Sequence, residues 1–247
     1  HDALPISLDR TMLGALSSTK DVGIYDQALK LINILLTLVT SLGSVMLPRV
    51  SNLLSSGNKK AVNKLHEMSF LVYNLVIFPM IAGILIVNND FVQFFLGQDF
   101  QDARYAIAIM VFRMFFIGWT NIMGIQILIP HNRNREFMLS TTIPAIFSVG
   151  LNLILIPPLG YIGASIVSVV TEGLVWLIQL YFTSDYLKEV KILPSMLKIL
   201  LAAFLMYGAL YFIKTFINFS SVVNVLICSV LGFLVYGGLV LILRILD

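Results

Sequence analysis

Runs of about 20 apolar residues recur along almost the whole of this 247-residue chain. A helix needs about 20 mostly apolar residues to cross the hydrocarbon core of a bilayer, which is about 30 Å thick. Only 12% of the residues are charged, whereas a soluble domain has about 25%. The sequence therefore predicts an all-α, polytopic transmembrane helix bundle, and it excludes a soluble enzyme, a nucleic-acid-binding protein and a disordered tail.

Seven of the apolar runs are long enough to span a membrane, and short connections join them. We predict spans at 24–48, 67–88, 104–129, 137–156, 159–183, 195–217 and 221–245. Residues 8–16 are typical of the end of an interrupted helix. Pro79 and Pro144 fall inside spans, where a proline removes a backbone hydrogen bond and bends the helix. The phenylalanine-rich run 91–97 is too short to cross, so we expect it to lie at the membrane interface.

The first six residues, HDALPI, break this pattern, because Asp2 and Pro5 stand where a span should already be under way. The hexapeptide looks like the translation of a common sequencing adapter read into an open reading frame. We therefore expect residues 1–7 to be a non-native leader and the chain to be a C-terminal fragment.

Lysine and arginine residues are concentrated on one side of the predicted bundle. Cytoplasmic loops of membrane proteins carry an excess of both residue types. One set of alternate loops holds ten of the 16: Arg49, Lys59, Lys60, Lys64, Arg133, Arg135, Lys188, Lys191, Lys198 and Arg244. The other set holds Lys20, Arg104 and Lys214. This predicts that loops 49–66, 130–136 and 184–194 and the C-terminus are cytoplasmic, and the net charge of +3 then reflects orientation.

The predicted helix 24–48 carries a polar stripe at membrane depth. Its members are spaced three or four residues apart, which places them on one helical face: Asp26, Lys30, Asn33, Thr37, Thr40 and Ser44. Lipid penalises such a face, so it should line a bundle interior or an aqueous cavity. The alternative is that these side chains only join helices. Asp26 and Lys30 are four residues apart and can form an ion pair.

Two further charged residues, Arg113 and Glu172, fall inside spans. A carboxylate near mid-span is costly, so Glu172 is either a proton- or cation-coupling site or a partner in an interhelical hydrogen bond. The guanidinium of Arg113 offers a rigid fork of donors to a phosphate; alternatively, Arg113 pairs with Glu172 or reaches the outer interface. Asn152 belongs to a milder polar stripe on the helix at 137–156.

The chain lacks sequence patterns for metal binding or catalysis. His66 and His131 fall in predicted cytoplasmic loops with no second ligand at a useful spacing. There is no Walker motif, no GxSxG and no Cys/His cluster, and the single cysteine, Cys228, excludes an intramolecular disulfide. We expect no metal, no cofactor and no enzymatic activity.

An ordered set of motifs resembles the oligosaccharide repeat-unit flippases of the multidrug/oligosaccharidyl-lipid/polysaccharide exporter superfamily. The motifs are LDRTMLG (8–14), VGIYDQALKLI (22–32), MLPRVSNL (46–53), FPMIAGILIVNNDFVQFFLGQDFQDA (78–103), GIQILIPHNRNREF (124–137) and LNLILIPPLGYIGASIVSVVTE (151–172). The similarity covers residues 8–183 and is weaker in the last two helices.

The resemblance implies a fold of two six-helix lobes that form a V around a central cavity. Residues 8–183 would supply the second lobe, with its first helix truncated, and residues 184–247 a cytoplasmic linker and two accessory helices. The implied function is to move undecaprenyl-diphosphate-linked oligosaccharides across the bacterial cytoplasmic membrane by alternating access, for surface polysaccharide synthesis. The implied partners are membrane lipids and, further, a polysaccharide polymerase and glycosyltransferases, without nucleic acid.

The stripes and the resemblance together give the candidate site residues. Those for substrate binding are Arg10, Lys30, Asn33, Thr37, Arg113 and Asn152, and those for ion coupling are Asp26 and Glu172. Asp9, which precedes Arg10 in the DRxxLG motif, could instead form a structural clasp with Lys30. The alternatives are a multidrug/cation antiporter or a lipid-II flippase of the same superfamily, and a membrane polymerase or scaffold. A stripe of Asn, Thr and Ser with cations favours an anionic glycolipid, and the chain has no large loop for catalysis or docking.

Overall fold

The computed structural model describes residues 3–216 and 220–245, and these residues form nine α-helices and no β-strand. The helices are α1 (Ala3–Leu16), α2 (Thr19–Ser55), α3 (Lys59–Phe95), α4 (Ala103–Met110), α5 (Arg113–Thr120), α6 (Asn134–Leu159), α7 (Tyr161–Leu187), α8 (Leu193–Phe216) and α9 (Ser221–Ile242). A π-helical segment, Asn121–Leu128, continues α5. The predicted all-α bundle is confirmed.

Seven helical stretches are long and apolar enough to cross a membrane, judged by length and composition. They are α2, α3, the stretch from α4 through the π-helical segment (Ala103–Leu128), and α6, α7, α8 and α9. They coincide with the seven predicted spans, although α2 and α3 extend to 37 residues each. The chain is a multi-pass membrane protein.

Local chemistry determines where the helices begin and turn. The hydroxyl of Ser18 accepts a hydrogen bond from the backbone N–H of Asp21 at 3.1 Å, which caps the N-terminus of α2. The side chain of Asn58 caps α3 in the same way, by accepting from the N–H of Ala61 at 3.1 Å. Gly160 has φ of 54°, a left-handed conformation that glycine adopts readily. The chain therefore reverses at once, and α6 packs antiparallel against α7.

The expectation that a span ends at residue 88, before a separate run at 91–97, is wrong, and the location of that run at the membrane interface stays a prediction. Helix α3 continues to Phe95, because no proline or glycine interrupts residues 84–96 and the break comes at Gly97, with φ of 77°. The polar residues of this extension also find partners: Asn88 donates a hydrogen bond to the backbone oxygen of Arg104 at 2.7 Å.

One large apolar core is shared by the helices from α1 through α7. Its fully buried members include Leu13, Tyr25, Phe70 and Met114. Helices α8 and α9 instead pack along α3 through two smaller clusters, one around Ile86 and the other around Ile199 and Val240. Large apolar side chains remain exposed on the outer faces of the helices, including Phe204, Phe212, Phe233 and Ile242. A soluble protein rarely exposes such surface, whereas lipid covers it without cost.

The leader predicted at residues 1–7 falls at the edge of the described structure. Residues 1 and 2 lie outside the described residues, and of residues 3–7 only the helical backbone is described. The leader therefore stays a prediction.

Candidate functional site

The polar stripe of α2 lies on the surface of the helix bundle that α1 to α7 form around the large apolar core; we call this bundle the lobe. The opposite face of α2 places Tyr25, Leu29 and Ile32 in the apolar core, all fully buried. Lys30 and Thr37 are exposed, and Asp26, Asn33 and Thr40 are half-buried. The side chain of Ser44 lies outside the described residues. The stripe is thus a polar surface of a membrane-spanning helix, and it is not enclosed by the other helices described.

An ion pair joins this surface to α1. Nε of Arg10 lies 2.5 Å from Oδ1 of Asp26, and their side chains are 41% and 28% exposed. The expected pairing of Asp26 with Lys30 is wrong, because α1 brings the guanidinium of Arg10 to the same carboxylate. The ammonium of Lys30 forms no ion pair among the described residues and faces outward.

The threonines of the stripe are satisfied within their own helix. Thr37 donates to the backbone oxygen of Asn33 at 2.8 Å, and Thr40 donates to that of Leu36 at 3.0 Å. Both hydroxyls retain lone pairs that can accept from a ligand. Neither contact joins α2 to another helix, so these two residues do not act as interhelical links within the described lobe.

A second polar group lies inside the lobe, around Asp9. Asn152 of α6 donates a hydrogen bond from Nδ2 to Oδ1 of Asp9 at 2.6 Å, and Tyr25 of α2 donates from its hydroxyl to Oδ2 at 3.2 Å. All three residues are buried. The clasp expected between Asp9 and Lys30 is therefore wrong, since the carboxylate faces the interior while Lys30 faces out.

Arg113 and Glu172 form an ion pair in the same interior. Nη2 of Arg113 lies 3.2 Å from Oε1 of Glu172, and the side chains are 1% and 8% exposed. The sequence left open whether Arg113 binds a phosphate, pairs with Glu172 or reaches the outer interface, and the structure shows the pair with Glu172. Arg113 also lies close enough to Asp9 to attract its carboxylate. The roles of Arg113, Asn152 and Glu172 toward a substrate or an ion stay predictions.

Sequence reasoning missed a polar contact between α3 and the π-helical segment. His66 belongs to α3 and is 1% exposed, so its expected place in a loop is wrong. Its Nε2 lies 3.1 Å from the backbone oxygen of Gln126, and Ser69 donates to the side-chain oxygen of the same glutamine at 2.8 Å. The backbone N–H of His131 donates to the oxygen of Ile127, and Pro130 has no N–H, so His66 supplies a donor to the carbonyl of Gln126. The proline at the end of this helix was thus a sequence signal that a nearby carbonyl needs another donor.

The fold and the polar surface together define the class of protein. It is a multi-pass α-helical membrane protein with a polar face on one spanning helix and an ion pair, Arg113–Glu172, in its interior. Residues 4–105 match the model of a family described as polysaccharide biosynthesis protein. The resemblance to oligosaccharide flippases that the sequence motifs indicated is confirmed.

Three relatives are similar to most of the chain. An uncharacterized membrane protein of Methanocaldococcus jannaschii is 26% identical over 85% of this chain and 41% of its own length. A protein of Haloferax volcanii named as a low-salt glycan biosynthesis flippase is 22% identical over 95% of this chain and 49% of its own. A protein of Escherichia coli K12 named as an O-antigen transporter is 27% identical over 70% and 42%. The chain thus spans about half the length of the curated relatives it matches.

The fold is also that of a solved structure. The lipid II flippase MurJ, in an inward closed conformation, superposes with a TM-score of 0.83 at 17% identity, over 98% of this chain and 51% of that one. At this identity the likeness concerns the fold.

Proposed function

We propose that this chain forms one lobe of a transporter that moves a lipid-linked oligosaccharide across a membrane, with undecaprenyl diphosphate as the lipid anchor. The observation that carries the proposal is the outward polar face of α2, which presents Lys30 and the Arg10–Asp26 pair at membrane depth. Lipid would penalise this face, so it requires a water-filled cavity. The names of the relatives in Haloferax volcanii and Escherichia coli support a glycan-linked substrate.

The chemistry of the face suits such a cargo. A sugar-diphosphate headgroup is bulky, polar and anionic, and it must cross about 30 Å of hydrocarbon while its lipid tail stays in the bilayer. Lys30 offers an ammonium to the diphosphate, and Arg10 keeps guanidinium donors besides the Nε that pairs with Asp26. Asn33 and Thr37 offer groups that both donate hydrogen bonds to sugar hydroxyls and accept them. A cavity built for cationic drugs would need acidic and aromatic side chains instead.

Buried polar contacts join the helices of the lobe, so we expect the lobe to move as a rigid unit. The pair Arg113–Glu172 joins α5 to α7, and Asn152 and Tyr25 join α6 and α2 to α1 through Asp9. Alternating access by rocking one lobe against another requires such internal ties. In this scheme Asp26, which is reachable from the cavity, is the stronger ion-coupling candidate, and Glu172 couples ions only if its pair with Arg113 opens.

The remaining assignments follow the same scheme. Residues 8–183 form the lobe proper, and residues 184–247 form a linker and an accessory pair, consistent with the separate packing of α8 and α9 on α3. The excess of lysine and arginine in alternate loops supports a cytoplasmic C-terminus, and we propose the cytoplasmic membrane of a bacterium as the location. A polysaccharide polymerase and glycosyltransferases would act on the same substrate.

Binding to the isolated chain tests the proposal. The chain is placed in lipid nanodiscs, and undecaprenyl diphosphate binding is measured by native mass spectrometry. Changing Arg10 and Lys30 together to glutamine removes two charged donors, each worth about 1.5–3 kcal/mol, so we expect binding to weaken at least tenfold. Lys60→Gln, an exposed charge at the start of α3, is the matched control. Equal binding by the double variant and the control would contradict the proposal.

A further inference from the structure

A polar cavity of about 640 Å³ lies where the N-terminus of α2 meets the turn that follows α3. Its lining is formed by Thr19, Lys20 and Gly23 of α2 and by residues 98–102. The positive φ of Gly97, 77°, turns the chain after α3 so that the 3₁₀ turn Gln98–Phe100 closes over α2. The volume lies within the range of small-molecule sites.

The cavity lies at the end of the polar stripe. Thr19, Gly23, Asp26 and Lys30 are spaced by four, three and four residues, so they share one face of α2. Two of them line the cavity, and the other two belong to the polar surface described above. A ligand that follows this face along α2 therefore reaches the cavity.

The lining offers hydrogen-bonding groups that the protein itself does not use. The side chains of Gln98 and Gln101 are exposed, and neither forms a hydrogen bond within the described part of the chain. The same holds for the carboxylate of Asp99. Amide side chains both donate and accept hydrogen bonds, and a carboxylate accepts them through two oxygens. Together these groups match the hydroxyls of a sugar, which also donate and accept.

One wall of the cavity is aromatic. The ring of Phe100 is half-buried and lies against Gly23, where a Cβ would come within 3.5 Å of it. A flat apolar ring beside amides and a carboxylate matches the two surfaces of a pyranose, one formed by C–H groups and the other by hydroxyls.

The charge of the lining argues against the diphosphate as the ligand. The cavity holds one lysine and two aspartates, and Lys20 is already paired with Asp102 at 3.7 Å. The remaining charge, on Asp99, is negative and repels a phosphate. The cavity thus differs from the part of the stripe that carries Arg10 and Lys30.

We propose that this cavity binds the sugar portion of the oligosaccharide, separately from the diphosphate, at the end of the polar face of α2. The inference rests on the proposed function, since it assigns the sugar and the diphosphate to two parts of one surface. On the orientation predicted from the basic loops, the cavity opens on the outer side of the membrane, where the sugar is delivered.

The test uses saturation-transfer difference NMR on the chain in nanodiscs, with methyl β-N-acetylglucosaminide and methyl β-galactoside as probes. We expect saturation transfer from the wild type, at least a threefold loss in the double variant Gln98→Ala with Gln101→Ala, and no change in Asn89→Ala. Asn89 is an exposed amide on the same end of α3, so it is the matched control. Inorganic diphosphate should not displace either glycoside.

Three results would overturn the proposal. The first is equal saturation transfer in the cavity variant and the wild type, and the second is displacement of the glycosides by diphosphate. The third is binding of Ca²⁺ alone that Asp99→Asn abolishes while neither glycoside binds, which would make the cavity a cation site. Arg10→Gln with Lys30→Gln separates the two proposals: it should leave glycoside binding intact and weaken undecaprenyl diphosphate binding. If the glycosides bind and the lipid diphosphate does not, the proposed function fails and the cavity stands.

Discussion

Arg113 and Glu172 form an ion pair across 3.2 Å in the interior of the lobe, with side chains 1% and 8% exposed. The pair joins α5 to α7, and Arg113 also attracts the carboxylate of Asp9 on α1. The carboxylate of Asp9 is held mainly by its hydrogen bonds from Asn152 and Tyr25, and the attraction of Arg113 is a smaller contribution.

This arrangement predicts an asymmetry between single substitutions. Removing one member of a buried pair costs about 3–5 kcal/mol, because the other charge is left buried without compensation. Arg113→Met removes the ion-pair partner of Glu172 and the attraction on Asp9 together, whereas Glu172→Leu leaves the attraction between Arg113 and Asp9 in place. We expect Arg113→Met to lower the unfolding midpoint in detergent more than Glu172→Leu, and the double variant to recover part of the loss. Lys60→Gln is the control, and equal losses from both single variants would contradict the shared-cation account.

The hydrogen bond from Asn152 to Asp9 gives a second prediction. Asn152→Leu leaves one carboxylate oxygen of Asp9 without its 2.6 Å donor, and losing the partner of a buried polar group costs about 1–3 kcal/mol. We expect a clear drop in the thermal unfolding midpoint. Thr37→Val should have little effect, because that hydroxyl is exposed and bonds within its own helix. Similar midpoints for the two variants would show that the Asp9 contact does not stabilise the lobe.

The contact between His66 and the backbone oxygen of Gln126 gives a third prediction. His66→Ala removes the donor that reaches the backbone carbonyl of Gln126, so we expect a loss of about 1–3 kcal/mol in the free energy of unfolding and a lower unfolding midpoint. His66→Gln keeps an N–H donor and should be milder. If alanine and glutamine lower the midpoint equally, the side chain at this position acts through its volume and not through the hydrogen bond.

The close approach of α6 and α7 at Gly163 gives a fourth prediction. A Cβ on Gly163 would lie 2.3 Å from the backbone oxygen of Leu155, and backbone cannot yield as a side chain can. Overpacking typically costs about 1–3 kcal/mol, so Gly163→Ala should lower the unfolding midpoint. At Gly150 nothing lies within 4 Å of the added Cβ, and alanine should stabilise α6 by about 0.5–1 kcal/mol. A neutral Gly163→Ala would contradict the packing described.

Periodicity and length were enough to predict the seven spans, though not the full extent of α2 and α3, since each span must satisfy its own backbone in lipid. The same reasoning placed Asp26, Lys30 and Thr37 on one face, because residues three and four apart share a side of a helix. These inferences depend only on geometry within one helix, and the structure confirms them.

Contacts between helices were beyond that reasoning. Asp26 pairs with Arg10 and not with Lys30, because the carboxylate turns toward a neighbouring helix whose position no single-helix argument supplies. The same limit explains Asp9, whose partner Asn152 lies 143 residues further along the chain. His66 was assigned to a loop because the predicted span began at residue 67, whereas in the fold α3 already begins at Lys59 and His66 meets the carbonyl of Gln126.

The central claim is that the polar face of α2 carries the headgroup of a lipid-linked oligosaccharide. The most direct test is to express the complete gene that contains the coding sequence of this chain in a bacterial strain that lacks its own oligosaccharide flippase, and to measure surface polysaccharide with a labelled lectin. We predict that the unaltered protein and Lys60→Gln restore the polysaccharide, and that Arg10→Gln with Lys30→Gln lowers it at least tenfold at equal expression. Full restoration by that double variant would contradict the account.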